Sequence, residues 1–562
     1  MEILSVVEMR EIERLADTNG LPYAQLMQNA GKAAADAIRT RIRPSARPLV
    51  LIGPGNNGGD GLVCAQALAE AGHNEAVRVW LLRPRDPSDP VFAAAAAAPI
   101  DMALGDLHVL NTWLADTEVI VDALLGTGVA RPIDGPLGDV LKAVQARRAT
   151  DGHWTDGRRN GDGRPSSAVT LIALDGPTGM NYDTGALDPA TVPADVTITF
   201  HAPKRGHYCY PAAGALGELI VVPIGIDRAK ISALRPKPAS TTGSAENGPK
   251  ADSAPSAQTH ASVELVDETW MRSHLPTRKT DSNKGSYGKV LVAGGCADYM
   301  GAPTLSARAA YRTGAGLVAY AVPQVIQHAA ALLCPEATFV PLPESQDAHT
   351  VQSLGRIQQW LKTATDGAAV ALGPGMGQAD SSRDFLIAFG QAARAGKFPL
   401  RGLVCDADAL NMLAKVPDWH TQLPPLTVLT PHPGEMSRLA QLRISEVQAD
   451  RIGYALHFAQ VWGHIVLLKG AYTVIASPDG HGAVLPFANA AMATAGTGDV
   501  LTGCIAGLVS QGLSPFDAAV CGGYLHGASG ERWRDAHGDS GLLAGDLLAL
   551  LPDVMRDLRR MP

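Results

Sequence analysis

Thr494-Ala495-Gly496-Thr497-Gly498-Asp499, near the end of the chain, joins small residues to a carboxylate at the opening of an apolar run that extends to Leu508. Small residues expose consecutive backbone N–H groups, and a helix after them adds the positive end of its dipole, so the stretch predicts an anion cradle. A carboxylate repels an anion. Asp499 makes sense there as a base beside a transferring phosphate; the plain alternative is a tight turn with Asp499 as an early helix residue. Two further stretches lie upstream. In Pro431-His432-Pro433-Gly434-Glu435 a His and a Glu stand three residues apart beside a strand end, where they could hold substrate and a hydrated Mg²⁺, or simply form a Pro-braced loop. Lys469-Gly470-Ala471-Tyr472-Thr473 offers an ammonium and open backbone to a nucleotide phosphate, or a hairpin with a surface lysine.

The first half carries a different set. Gly53, Gly55 and Gly58 fit G-x-G-x-x-G after the apolar run Pro48–Ile52. The next strand ends in Arg83-Pro84-Arg85, without the acidic residue that would hold a ribose, which disfavours an ordinary NAD dehydrogenase. Asn56 and Asn57 add side-chain oxygens that a pure phosphate loop does not need; they suit a cation or a polar ring substituent. Asp122 and Asp175 each end a strand, and in an open parallel sheet such ends line the ligand crevice. One carboxylate with the neutral oxygens of Asn57 and Thr178 is a reasonable monovalent-cation site, and the other is left for acid/base work. Read as caps, either aspartate alone needs no ligand.

The elements that position these residues read as α/β. Helical spacing covers residues 6–18 and continues from Leu26 to Ile38. Strands are predicted at Pro48–Ile52, 76–82, Val119–Val121 and Val169–Leu174, with a loop over residues 53–61 and a helix from Leu62. In the second half strands are predicted at 288–293, Ala368–Leu372, Leu403–Cys405, Thr427–Thr430 and Ile465–Leu468. Between the halves the composition turns to Pro, Ser, Thr, Ala, Gly, Asn and Lys, which predicts a flexible linker over 228–262 between domains at 1–227 and 263–562. Residues 149–167 read as a polar surface insertion. A chain of 562 residues with 46% hydrophobic and 18% charged residues is an ordinary globular enzyme by composition. The net charge of −8 without a Lys/Arg run argues against nucleic-acid binding. Seven scattered cysteines and no secretory or spanning segment predict a cytoplasmic protein away from membranes.

Asn56-Asn57-Gly58-Gly59-Asp60-Gly61, Asp122–Gly128, Asp175-Gly176-Pro177-Thr178-Gly179 and Thr199–Lys204 resemble the NAD(P)H-hydrate epimerase domain of YjeF N-terminal type. The resemblance implies a Rossmann-like three-layer fold that interconverts R- and S-NADHX and NADPHX, with K⁺ at Asn57, Asp122 and Thr178 and an acid/base aspartate at Asp175. Substrate contacts are implied for Asn56, Asn57, Gly58, Gly59, Asp60 and Asp175, and for Gly126, Thr127, Gly128, Val129, Ala130, Arg131 and Pro132. Gly176 and Thr178 depart from the family's usual apolar residue and serine. The second half resembles the nucleotide-dependent NAD(P)H-hydrate dehydratase domain of YjeF C-terminal type, with a ribokinase-like α/β fold. That implies substrate contacts at Ala302, Gly377, His432 and Asp499, nucleotide contacts at Lys469, Gly470, Ala471, Tyr472, Thr473 and Gly498, Mg²⁺, and ADP as phosphoryl donor. His432-Pro433-Gly434-Glu435 stands where ribokinase-like enzymes carry Asn-x-x-Glu. A homo-oligomer is expected. The rival readings are a hydroxymethylpyrimidine- or sugar-type kinase fused to a ligand-binding regulator, and a non-enzymatic binding role for the first domain.

Overall fold

The structure is a computed structural model and describes residues 1–43, 45–71, 77–127, 132–150, 169–227, 230, 262–343 and 347–560. The linker expected at 228–262 and the insertion expected at 149–167 lie outside these residues but for 149, 150, 230 and 262. The chain divides into two compact units, residues 2–240 and 241–562.

In the first unit, helices α1 (Val6–Thr18) and α2 (Tyr23–Arg39) precede the sheet. The Ser5 hydroxyl accepts from the Glu8 N–H, and the Glu8 carboxylate accepts from the Ser5 N–H, so α1 starts on a capping box. Val6, Met9, Ile12 and Ala16 make its buried stripe. Strands β1 (Pro48–Ile52), β2 (Val77–Leu81), β3 (Ile100–Leu104), β4 (Val119–Ala123), β5 (Thr170–Leu174), β6 (Val196–Phe200) and β7 (Glu218–Val222) form one parallel sheet in the order β3-β2-β1-β4-β5-β6-β7. Leu49, Leu51 and Trp80 pack into one core cluster and Val50, Ile52 and Val79 into another, so both sheet faces are covered and the layers number three. The strand order reverses between β1 and β4, which opens a crevice at their C-terminal ends. Gly53 leaves β1 there; a Cβ on it would lie 1.6 Å from the Leu124 carbonyl oxygen, so only glycine fits.

One expectation fails at this point. Residues 56–61 are not loop: helix α3 spans Asn56–Glu70 and so starts six residues before Leu62. Cβ atoms on Gly58, Gly59 and Gly61 would meet the Gly53 carbonyl oxygen at 2.1 Å, Met27 Sδ at 2.6 Å and Ala123 Cβ at 2.5 Å. These glycines serve close packing of a helix rather than the flexibility of a turn. Strands β3, β6 and β7 are additional to the sequence reading.

The second unit holds β8 (Ser262–Leu265), β9 (Lys289–Ala293), β10 (Leu317–Ala321), β11 (Thr338–Phe339), β12 (Ala368–Leu372), β13 (Leu400–Cys405), β14 (Val428–Leu429), β15 (Ile465–Leu468), β16 (Val474–Ala476) and β17 (His481–Val484). Their order is β8-β17-β16-β15-β14-β13-β12-β9-β10-β11. The pairs from β11 to β15 are parallel, whereas β15, β16 and β17 meander antiparallel. This is an α/β arrangement around one mixed, mostly parallel sheet, as expected for an α/β domain. The helices that matter for the site are α4 (Gly301–Thr313), α5 (Pro433–Ala440), α6 (Arg451–Trp462), α7 (Thr497–Ser510) and α8 (Pro515–His537). From Val500 onward every residue of α7 is buried. Among the described residues no helix is long and apolar enough to cross a membrane.

Candidate active sites

Asp175 follows β5 with φ 64°, a left-handed backbone that costs a non-glycine residue about 1 kcal/mol or more. Its neighbours hold it there. The Asp175 N–H donates to the Ile198 carbonyl at 2.7 Å, and its own carbonyl oxygen lies 2.9 Å from His207 Nε2. His207 Nδ1 accepts from the Lys204 N–H at 3.0 Å, which leaves the ring proton on Nε2 to donate to Asp175. Burial pushes His207 down to about 4, so the ring is neutral. Lys204 is 1% exposed, and its Nζ donates to Asp175 Oδ1 at 2.6 Å and to Thr199 Oγ1 at 2.9 Å. The Thr199 hydroxyl donates to the same Oδ1 at 2.8 Å. Burial alone would raise the Asp175 carboxyl; the Lys204 ammonium outweighs it and holds the group below the ordinary carboxylate range. Gly176 has a local reason: a Cβ there would come 2.9 Å from the Tyr182 ring, so Tyr182 occupies the room of the missing side chain.

The expected cation ligands converge on one segment. Asp122 accepts from the Thr178 hydroxyl at 2.7 Å, from the Thr178 N–H at 2.9 Å and from the Leu124 N–H at 3.1 Å. Burial raises its pKa despite these bonds. Asn57 Nδ2 donates to the Leu125 carbonyl at 3.1 Å, and Asn57 Oδ1 is buried with no hydrogen-bond partner among the described residues. Gly126 lies against Asn57, with its Cβ position 3.1 Å from that of Asn57. Asp60, on the second turn of α3, is pushed well above the ordinary range by burial and by the charges of Asp175 and Glu13. Glu13 of α1, for which no role was expected, is also raised, mainly by burial. An ionised Asp175 and carboxyls favouring the neutral form thus share one field. Asn56 and Pro132 are exposed, Gly58 and Gly59 are buried, and Thr127 is half-buried. Gly128, Val129, Ala130 and Arg131 lie outside the described residues.

In the second unit Gly496, with φ +88°, precedes α7, and Asp499 is the third helical residue. The small-residue stretch and the early-helix placement of Asp499 are the same structure. Burial, with Asp406 and Asp408 adding to it and Lys469 opposing, pushes Asp499 up to about 7. Lys469 is not a surface lysine: its Nζ donates to Asp406 Oδ1 at 2.7 Å and stands 3.7 Å from Glu435 Oε2. Those carboxylates keep it charged against burial. Arg451 of α6 donates to the Leu468 and Lys469 carbonyls at 3.0 and 3.1 Å, which fixes the end of β15. Gly470, Ala471, Tyr472 and Thr473 form the connection to β16, where Thr473 Oγ1 donates to the Gly470 carbonyl at 2.8 Å. Gly498 faces Lys469, its Cβ position 3.4 Å from Nζ.

His432 caps α5. Its Nδ1 accepts from the Gly434 and Glu435 N–H groups, and Glu435 Oε2 accepts from the His432 N–H at 2.8 Å. The His–Glu spacing is thus a capping box as well as a candidate site. Burial, moderated by Lys469, carries Glu435 up to about 7. Gly377 donates its N–H to Asp408 Oδ2 at 2.9 Å, and Ala302 sits in the first turn of α4. Lys204, Thr199 and His207 in one unit, and Asp406 and Thr502 in the other, received no role from sequence. For Asp406 the available signal was a charged residue directly after an apolar strand.

Residues 23–206 match the family model described as YjeF-related protein N-terminus, and residues 290–553 match that described as NAD(P)H-hydrate dehydratase. The chain is 35% identical over 571 residues to the bifunctional NAD(P)H-hydrate repair enzyme Nnr of Moorella thermoacetica, covering 99% of this chain and 97% of that one. It is 33% identical to the protein of the same description from Escherichia coli, covering 98% and 93%. A solved structure of the ADP/ATP-dependent NAD(P)H-hydrate dehydratase from Bacillus subtilis, co-crystallized with ATP/Mg²⁺, is 31% identical, covers 53% of this chain and 99% of its own, and has a TM-score of 0.44. With such identity running through nearly the whole of both chains, the protein belongs to the bifunctional NAD(P)H-hydrate repair enzymes.

Proposed function

We propose that the chain repairs hydrated nicotinamide cofactors with two separate sites: residues 1–227 epimerise R- and S-NAD(P)HX, and residues 263–562 dehydrate the S epimer at the expense of ADP, giving AMP and phosphate. The observation that carries this reading is the environment of Asp499. A carboxylate pushed to about 7 is a base poised for neutral pH, and it shares the N-terminal end of α7 with the Lys469 ammonium, as a reaction joining proton removal to phosphoryl transfer requires. Asp499 takes the proton from the C6 hydroxyl as that oxygen attacks the terminal phosphoryl group of ADP. The backbone of α7 and Lys469 stabilise the charge that spreads over the phosphate. AMP leaves in that step; phosphate then departs from C6 as C5 gives up a proton to solvent, and the C5=C6 double bond that forms restores the reduced nicotinamide. A kinase fused to a regulator is not favoured, since both halves match repair enzymes together.

In the epimerase, the ionised Asp175 accepts a proton from the substrate while Lys204 and Thr199 hold its carboxylate in place. K⁺ fits the residues present, because Asn57 Oδ1 is a buried acceptor without a donor among the described residues. Asn57, Asp122 and Thr178 would hold it, and it would supply a fixed positive charge bracing the loops around the substrate. Glu435 fits Mg²⁺ as a carboxylate near the nucleotide contacts, and the ion would neutralise phosphate charge. A cytoplasmic homo-oligomer completes the reading; all seven cysteines are free and buried, which suits a reducing compartment. The test is recovery of the reduced-nicotinamide absorbance from separated S- and R-NADHX with ADP and ATP in parallel. Recovery with ADP, from S directly and from R at the enzyme's own rate, is expected. No recovery from S with either nucleotide would overturn the dehydratase assignment.

A further inference from the structure

Asp406 follows β13 and is 1% exposed, with each oxygen committed to a donor. Oδ1 accepts from Lys469 Nζ at 2.7 Å, and Oδ2 accepts from the Thr502 hydroxyl at 2.7 Å. Lys469 stands at the end of β15 and Thr502 on the second turn of α7. A single carboxylate therefore ties the two elements that carry the nucleotide contacts to the end of a third. Its place beneath the cradle is defined by Gly498, whose Cβ position lies 3.4 Å from Lys469 Nζ and 3.6 Å from Asp406 Oδ2. The chain also accepts a left-handed Ala407, φ 52°, directly after it. Strain of that kind persists where the surrounding structure imposes it.

We propose that Asp406 is a positioning residue of the dehydratase, holding the Lys469 ammonium and the opening turns of α7 in one geometry around Gly498 so that the nucleotide meets a formed cradle. The proposal rests on the dehydratase reading of this unit. An ammonium has three donors and a flexible stem, so its location is set by its partners. With Asp406 in place, one donor is fixed and the others remain for phosphate. Without it, Lys469 turns toward Glu435, 3.7 Å away, or toward Asp499, whose charge it would then neutralise. Asp406 also belongs to the field around Asp499. The charges acting on that carboxyl are Asp406 and Asp408 from the segment after β13 and Lys469 from the end of β15, and His526 of α8 stands at the same helix opening. His526 is bonded to the Thr497 carbonyl and kept neutral by burial. Removing the Asp406 charge takes a like charge away from Asp499 and leaves Lys469 to it.

The experiment is steady-state dehydration of S-NADHX with ADP by the full chain, wild type against Asp406→Asn, as a function of pH. Asp406→Asn is expected to raise KM for ADP about tenfold, the loss typical of one charge-assisted hydrogen bond, and to move the acidic limb of kcat/KM down by about one pH unit. Combined with Lys469→Met, it should cause no loss beyond that of Lys469→Met alone, because the Asn oxygen still accepts from Thr502 and only the tie to the lysine is removed. Thr502→Val, which keeps every charge, should raise KM for ADP about threefold and leave the limb where it is. If Asp406→Asn does not fold, as thermal unfolding would show, Thr502→Val decides: an unchanged KM overturns the proposal. A folded Asp406→Asn with wild-type KM and limb, or losses that multiply with Lys469→Met, overturns it equally. A wild-type chain that does not dehydrate S-NADHX would instead strike the dehydratase reading.

Discussion

Burial pushes Asp499 up to about 7, yet Asp175, also buried, lies below the ordinary carboxylate range. The partner makes the difference. Lys204 is within 2.6 Å of Asp175 and has no other carboxylate in hydrogen-bond reach among the described residues, whereas Lys469 is divided between Asp406 and Glu435 before it reaches Asp499. Lys204→Met should therefore let burial win at Asp175. The base then ionises at higher pH, and the epimerase pH profile, followed as R-to-S conversion, should move upward at its acidic limb. An unmoved limb with intact folding would show that Asp175 is not the titrating base. Asp499 carries a stability consequence as well. Its folded pKa is raised, so its contribution favours folding at low pH and is lost as pH rises through about 7. Asp499→Asn, which cannot ionise, should unfold about 2–4 °C higher than wild type at about pH 8 while losing dehydratase activity. The gain should shrink as pH falls toward about 4, where the unfolded carboxyl is protonated too. Thermal unfolding of both proteins across that range checks the sign.

Asp499 reaches its place because α7 lies unusually close to α4. Cβ atoms on Gly503 and Gly507 would meet the Ser306 carbonyl oxygen at 2.0 Å and Thr313 Oγ1 at 2.4 Å, so two glycines one turn apart let the backbones meet. The Ser306 hydroxyl then donates to the Asp499 carbonyl at 2.8 Å. Gly503→Ala should push α7 outward, destabilise the protein by about 1–3 kcal/mol and lower dehydratase kcat more than epimerase kcat; denaturant unfolding and the two activities measured on one preparation test this. The strands feeding such helices were readable in advance. Pro48–Ile52 and Ile465–Leu468 are apolar on every position because helices or strands cover both faces, and Asp122 and Asp175 announced themselves as charges at strand ends. The start of α3 was not readable, because glycines that permit a turn also permit close packing, and only Met27 and Ala123 decide between them. β7 was hidden by a half-exposed pattern. Lys204 and Asp406 escaped for a different reason: their partners are 29 and 63 residues away, and only the order of strands in the sheet brings them together.

On the scale of the whole chain, each proposed set of catalytic residues is drawn from one compact unit. Asp175, Lys204, Thr199 and His207 all come from residues 2–240, and Asp499, Lys469, Asp406 and Glu435 all come from 241–562. The two activities should therefore separate cleanly by mutation although the substrate passes through both. Asp499→Ala should abolish recovery of reduced nicotinamide from S-NADHX while interconversion of the epimers, followed by chromatography without nucleotide, proceeds at the wild-type rate. Asp175→Ala should do the converse: S-NADHX is repaired normally, but R-NADHX is consumed only as fast as it epimerises spontaneously. Adding a small amount of Asp499→Ala protein to the Asp175→Ala protein should then restore R-NADHX turnover, because each supplies the site the other lacks and the S epimer diffuses between them. If the mixture fails while both single variants stay folded, the epimer does not travel through solution, and the chain's two halves must act on one bound substrate.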